Sequence, residues 1–482
     1  MVAAKSEKLD VPLVTDIVSY SANFFMNFAI YTSYLPHGKL WMALTLFLLP
    51  MLYGFRALCL VLVIHFVYTI WTFEVPGPSH HSAARSSLNV FLGRSWKVSQ
   101  YHPTLQSNNN VSIARFQGRY IAAYRNADWH WPSSKASMIV ASSNHPAGPW
   151  QVEWRHVTGE DLREMFLFEL KGMLFLFYCG IQNGKLGTFH VEGSRCFISS
   201  SGKDWHTPPG RETGLVSRLG ELIWDVKVVQ PAGDEPVVYK TSYLGGHYQA
   251  TGDQMSVLFE QSTNGLDWTP CGSSKDGVVY HGGVSEVAFE FTSRGDLVAI
   301  GRNEDGDSTG FGSQLFFAHA SDLGVWQALK VSMPWRFDSP RMVRTEASGD
   351  ILLFARYTYN KYEFAPEWFP LWVREFANVL VYSVRPKTAA IYRVTDPACW
   401  TGSGGPWATC TPLELVRFFE HGFANSDTGF FSLAPHPNIS DCWHVANYSA
   451  ASSHSHAWWV YGQLTHSDIY IAEVRVEVAK EE

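Results

Sequence analysis

A short unit repeats along the middle of this chain, and a repeat of that length permits few folds. The unit is a glycine followed by a run of alternating or continuous apolar residues. Gly118 precedes 119–125, Gly172 precedes 173–179, Gly233 precedes 234–240, Gly295 precedes 296–302 and Gly349 precedes 350–356. These glycines stand 54, 61, 62 and 54 residues apart. Each run has the length and composition of a strand, and the glycine supplies the positive φ of a tight hairpin. Another short apolar run comes before each glycine, at 111–116, 165–170, 226–230, 287–291 and 341–345. A second landmark keeps the same period. Ser199-x-x-Gly202-x-x-Trp205 and Ser262-x-x-Gly265-x-x-Trp268 share one pattern, with a shorter version ending at Trp326 and an expanded one at Trp150. Several short strands in a unit of roughly 55–60 residues predict a propeller blade, and the period is too long for ankyrin or leucine-rich repeats. A sixth unit, without the central glycine, fits 427–449, and 468–478 supplies a last strand to close the ring. The expected fold is all-β: a six-bladed β-propeller, with five blades as the alternative, over residues 95–482. An insertion is expected at 360–414.

The first 73 residues read differently. Residues 17–35 carry no charged side chain, and 40–73 carry one, Arg56. The second stretch is too long for one upright membrane helix of about 20 residues. Pro50 and Gly54 divide it into 41–55 and 57–73, so it reads as a helical hairpin or two short membrane segments. The first stretch, with Ser19, Asn23, Asn27 and Thr32, either inserts or lies at the interface. Residues 1–73 are therefore expected to form an α-helical membrane anchor, with the lipid bilayer as partner through 17–73. A Pro-, Ser- and His-rich linker follows at 74–94. Three sequons, at Asn110, Asn438 and Asn447, suit a secretory-pathway lumen or the cell surface, with an organelle inner membrane as the alternative. Cys399 and Cys410 could close a short loop in an oxidising compartment.

Charge excludes one class of partner. The net charge of −7 and a pI near 6.2 give no basic footprint for nucleic acid. No Cys-x-x-Cys or local His/Cys cluster points to a metal or cofactor.

The Ser-x-x-Gly-x-x-Trp turns resemble degenerate Asp-boxes, and with them the propeller resembles the sialidase superfamily. The run 285–289 with Glu286, followed sixteen residues on by Arg302, is similar to that family's Glu and Arg on a central blade. The resemblance implies that Arg302 grips a substrate carboxylate and that Glu286 polarises a tyrosine nucleophile. It makes Arg356 a second carboxylate-binding arginine, with Arg341 as its alternative. It likens Arg125 and Asp128 to the loop that presents the acid/base aspartate, and on an apolar loop the pKa of Asp128 is expected to rise by desolvation. The chain departs from the pattern at two places. Asn110-Val111-Ser112 stands where Arg-Ile-Pro is expected, and 427–430 lacks the expected Tyr-Ser, with Tyr448 one strand later.

The residues also stand without the resemblance. Inner strands line a propeller's channel, so residues at their starts converge. Asp161, Arg163 and Glu164, then Asp225 and Lys227, then Glu286, put acidic groups on three successive units. Two carboxylates ~5–9 Å apart are what a glycosidase needs. The candidate catalytic set is Glu286, Asp128 and Asp225; the candidate substrate-binding set is Arg302, Arg356, Arg125 and Arg341. Trp129, Trp131 and Trp224 are candidate sugar platforms. Three functions fit: a membrane-anchored glycoside hydrolase acting on a glycan or glycolipid, a catalytically inactive propeller serving as accessory subunit of a membrane protein complex, or a glycan-binding propeller without turnover.

Overall fold

The computed structural model describes residues 86–477, apart from 101, 103, 131, 184–188, 231–232, 246–254, 331–332, 334, 360–387, 398–410, 420–427 and 451–466. The membrane segments expected within 1–73 lie outside these residues, as do Cys59, Cys399, Cys410 and Trp131. Among the described residues no helix is long and apolar enough to cross a membrane, and every named element is a strand.

The strands run in chain order as antiparallel meanders. The first comprises β1 (Asn89–Lys97), β2 (Ser107–Phe116), β3 (Arg119–Ala127), β4 (Ser137–Ser143) and β5 (Gln151–His156). Then come β6 (Asp161–Leu170), β7 (Met173–Asn183) and β8 (Phe189–Ser199), followed by β9 (Glu221–Val229), β10 (Val237–Leu244), β11 (Met255–Ser262), β12 (Thr269–Pro270) and β13 (Val278–Gly282). The next group is β14 (Ser285–Phe291), β15 (Leu297–Asp307), β16 (Gly310–Ala318) and β17 (Gln327–Ala328). It precedes β18 (Trp335–Arg344), β19 (Ile351–Tyr359), β20 (Thr388–Val394) and β21 (Leu413–Phe418), and the chain ends with β22 (Thr428–Pro435), β23 (Cys442–Ala450) and β24 (Ser467–Glu477). They form five sheets, of which the largest, with eight strands, joins β22–β24 and β1 to β2–β5. That join is a single parallel pair, Ser107 with Ser467.

Apolar packing between consecutive sheets makes the arrangement circular. Ile121 and Val140 pack with Leu174 and Leu176, and Phe177 and Ile198 with Ile223 and Val238. Phe259 packs with Phe289 and Phe316, Ile300 and Leu315 with Phe337 and Leu353, and Phe354 with Phe431 and Val445. The last cluster returns to the start, with Ala446 and Ile471 against Ile113 and Ala122. The chain is an all-β propeller. Its inner strands are also tied sideways. Ile113 N donates to Ser432 Oγ (2.9 Å), Leu167 N to Ser112 Oγ (2.8 Å), Ile223 N to Ser194 Oγ (2.8 Å), Phe289 N to Asp225 Oδ2 (3.2 Å) and Phe337 N to Ser313 Oγ (2.8 Å). Each satisfies an amide that the sheet ladder leaves open.

The hairpin glycines behave as the repeat predicts. Gln117–Gly118 and Lys171–Gly172 have φ of 49° and 78°, and of 51° and 77°, the paired positive values of a type I′ turn. The Ser-x-x-Gly-x-x-Trp turns follow third strands: one joins β11 to β12, and the other leads from β8 to an isolated bridge between Ile198 and His206. Gly202 N and Gly265 N donate to Ser199 Oγ (2.8 Å) and Ser262 Oγ (2.9 Å), while Trp205 and Trp268 pack on the adjoining cores.

Three expectations change. The linker does not run to 94, because Asn89–Lys97 is a strand paired with β24; the first ordered strand belongs to the last meander. The 360–414 stretch is not one insertion, since it holds β20 and the start of β21; the landmark spacing fails there because long connections separate the strands. Asn110 and Asn447 are buried, so of the three sequons only Asn438 is exposed on the folded chain.

Candidate active site

One irregularity builds the site. Near the start of five inner strands the pairing slips, between Asn109 and Ser112, Arg163 and Phe166, Ser285 and Ala288, Asp338 and Arg341, and Gly429 and Ser432. Each slip contains a left-handed residue: Asn110, Glu164, Glu286, Ser339 or Phe430, with φ between 49° and 55°. These are β-bulges, which re-aim a side chain out of the strand's alternation. In β9 the slip falls at Trp224. The residue before each bulge pairs with a fixed position at the end of the second strand. Asn109 faces Arg125, Arg163 faces Cys179, Ser285 faces Arg302, Asp338 faces Arg356 and Gly429 faces Tyr448. Strand starts and second-strand ends share one face of the ring, so these side chains converge.

On one side lies a buried charge network. Arg302 meets Glu286 (2.7 Å), Asp338 (2.7 Å) and Glu304. Arg336 meets Glu304 (3.0 Å) and Asp338 (2.9 Å). Arg356 lies 3.6 Å from Asp338 and donates to the Tyr448 hydroxyl (3.0 Å) and the Thr428 carbonyl (3.2 Å). Three guanidiniums thus face three carboxylates, all within a nearly water-free shell. Glu286 has both oxygens engaged, since its Oε2 accepts from Ser339 N at 2.8 Å. The charges of Arg302 and Arg356, expected for a substrate carboxylate, are balanced inside the protein.

Across the channel stands Glu164. Its Oε2 is shielded from solvent and has no well-formed hydrogen bond among the described residues, although the Asn110 amide lies beside it. Burial and the negative charge of Glu286 push its carboxyl up to about 8, against the opposing pull of Arg163 and Arg341. Arg341 sits between the groups. Its guanidinium covers the rings of Phe166 (4.6 Å) and Trp224 (5.0 Å) and lies 4.0 Å from Asp225. Burial lowers its pKa, while Asp225, Glu164 and Glu286 oppose that. Trp224 stacks obliquely on Phe430 at 5.5 Å, Phe430 lies 6.1 Å from Tyr448, and Tyr448 lies 5.7 Å from His130. An acid, a second carboxylate, a cation and an aromatic wall therefore share the channel.

Other expected residues sit elsewhere. Arg125 is fully buried on Asp161 (2.6 Å) and the Trp129 carbonyl (2.9 Å), and burial, with Arg163 nearby, lowers its pKa to about 10. Asp225 is occupied with Phe289 N and Val226 N (3.0 Å). Asp128 runs against expectation. Burial alone would raise its pKa, but hydrogen bonds from Ser133 and Lys135 and the charge of Lys135, 3.4 Å away, outweigh it and hold the carboxyl below the usual range. An exposed ammonium supplies what desolvation would have removed. Trp129 is 43% exposed, while Trp224 is fully buried. Glu164 is one of the channel-facing acids of the sequence but lies outside the expected catalytic set, and Tyr448 stands one strand after the place where Tyr-Ser is expected. Tyr448 in fact holds the same register position as Arg125, Arg302 and Arg356, a signal available from aligning the repeats.

No protein-family model and no curated protein matches the sequence. Among solved structures, the chain is similar to the GH93 alpha-L-arabinofuranosidase of Fusarium graminearum, at 11% identity and TM-score 0.45, covering 80% of this chain and 97% of that one. It is similar to the Trypanosoma rangeli sialidase at 10% identity and TM-score 0.43, covering 81% and 58%. It is similar to the GH43_1 enzyme from Xanthomonas citri at 10% identity and TM-score 0.39, covering 80% and 92%. The likeness is one of fold and assigns no activity.

Proposed function

We propose that this chain is a glycoside hydrolase on a six-bladed propeller, held at a membrane by residues 17–73. The single parallel pair inside the eight-stranded sheet supports six blades, because dividing the sheet there leaves β2–β5 as one blade and β22–β24 with β1 as another. The observation that carries the activity is Glu164, a carboxyl that burial and Glu286 keep protonated at neutral pH. Two carboxylates with environments that push their roles apart are the working pair of such enzymes. Glu164 donates its proton to the leaving glycosidic oxygen as the bond to the anomeric carbon breaks. Glu286 is the second carboxylate, facing the developing positive charge, and water completes the hydrolysis by bonding to the anomeric carbon and returning a proton to Glu164. The matched arginines favour a neutral sugar over an acidic one, and exposed Trp129 offers an apolar face for its ring.

A panel of neutral and acidic aryl glycosides, assayed with the detergent-solubilised full chain, tests this. Glu164→Gln is expected to lower kcat by about 10²–10⁴-fold, with less effect on aryl leaving groups that need no proton, and Glu286→Gln to lower it for every leaving group. Absence of turnover on every glycoside, or full activity of Glu164→Gln on glycosides whose leaving groups need a proton, sinks the proposal. A second reading has its own support. Trp224 meets Phe430 at 5.5 Å and both Glu286 oxygens are engaged, as in a channel filled for stability. An inactive wild type that co-purifies with membrane proteins favours that accessory role.

A further inference from the structure

We propose a divalent metal site, zinc or a cation of similar preference, formed by His436, His444 and Glu473 at the opposite end of the last meander from the candidate active site. One ligand atom from each of the three lies within 4.8 Å of the others. The fold places them together for reasons the sequence hides. β23 and β24 pair in a register that sets His444 directly beside Glu473. His436 follows β22, and its backbone N–H donates to the Cys442 carbonyl at 2.8 Å, closing the hairpin over His444. The two imidazoles stack at 5.1 Å with 29° between their planes. Phe430, at the channel, precedes His436 by six residues of strand, about 20 Å, so the two sites are separate.

The surroundings suit a metal. Two imidazoles and one carboxylate form a ligand set that holds zinc with one position open, and half-buried His436 and Glu473 leave that position to water. Ligands on a tetrahedral zinc stand ~3.3 Å apart, so the three close inward by about an ångström. Buried His444 has its Nδ1 3.1 Å from the Tyr120 hydroxyl, an outer contact of the kind that orients a metal-bound imidazole and leaves its other nitrogen for the ion. The Asn438 amide lies 3.2 Å from His436 Nδ1, so binding through that nitrogen would displace this contact. Nearby Arg115 and His145 oppose a cation, and the Glu473 carboxylate offsets them. The site lies outside the catalytic proposal and stands if that proposal fails.

Zinc alone, titrated calorimetrically into the full chain in detergent, is the test, with cobalt substitution giving a visible spectrum. One equivalent is expected to bind and raise the thermal midpoint. Glu473→Gln and His436→Gln, both at half-buried positions, are each expected to weaken that binding at least tenfold. Tyr120→Phe is expected to weaken it less and to shift the cobalt spectrum. The chain has 19 histidines, so binding by the wild type alone decides nothing in favour. Affinity unchanged in the Glu473→Gln, His436→Gln double variant overturns the proposal, as does a wild type that binds no equivalent.

Discussion

Glu164 puts the sharpest test at the scale of one residue. Its folded pKa, about 8, stands above the ordinary carboxyl value near 4.3. The folded chain therefore keeps a proton that the unfolded chain releases, and stability falls as pH rises from about 4.5 through 8. The stabilisation is fully present below that window and absent above it. Glu164→Gln cannot ionise, so its stability is expected to be flatter across the window and to exceed that of the wild type near pH 8.5, by on the order of a few kcal/mol. Urea unfolding at pH 5, 7 and 8.5 measures this. Parallel pH profiles for the two proteins would show that Glu164 is ionised in the folded state, and would remove the acid from the proposed mechanism. The sequence exposes Glu164 as a channel-facing residue, because it opens an inner strand. It does not expose the protonation state, because that depends on Glu286, which is distant in sequence and acts through a dry interior. Asp128 fails differently, because its pKa is set by Ser133 and Lys135 on its own loop, whose fold back onto it the sequence does not show.

Strands and hairpins were legible for a simple reason: a two-residue turn with positive φ needs glycine, and glycine recurs with the period. The bulges were not, because Asn110, Glu164, Glu286, Ser339 and Phe430 span four residue types, none of them the glycine that a left-handed backbone favours. Their common property is a backbone conformation near +50°, imposed by the ladders on both sides of the slip. An L-residue held there costs about 1–2 kcal/mol. Ser339 is the cleanest place to recover that energy, since its N–H, which glycine retains, makes the bond to Glu286. Ser339→Gly is expected to stabilise by about 1 kcal/mol, and Ser339→Val to destabilise by about 2 kcal/mol, because a β-branched residue tolerates the left-handed region least. Denaturant midpoints check both. Equal midpoints for the two variants would mean that the slip relaxes and the bulge is not a fixed part of the element.

At the scale of the whole molecule, the question is what holds the ring shut. The last meander borrows β1 from the beginning of the described chain, and nothing local announces that strand, since its partner β24 lies at the other end of the sequence. Seven residue pairs join them, from Asn89 with Glu477 to Lys97 with Tyr470. Val90 points into the core shared by Leu352, Phe431 and Trp443, while its carbonyl accepts from Arg417 Nη1 at 3.0 Å. Lys97 and Ser99 both hold Asp468, each at 2.7 Å. A propeller closed by such a strand resists opening as one unit, because every sheet packs on two neighbours. Val90→Asp places an unpaired carboxylate in that core. Phe91→Ser, one residue on, alters a side chain that is 46% exposed. Val90→Asp is expected to cost about 3 kcal/mol or more, to lower the single unfolding transition rather than split it, and to speed hydrogen exchange first in β24. Phe91→Ser is expected to change stability by less than about 1 kcal/mol, the small loss coming from its contact with Arg475 at 5.5 Å. If the two variants unfold at the same midpoint, β1 is an ornament on the edge of the last sheet, and the ring is held shut by the β2–β24 contact and the apolar clusters alone.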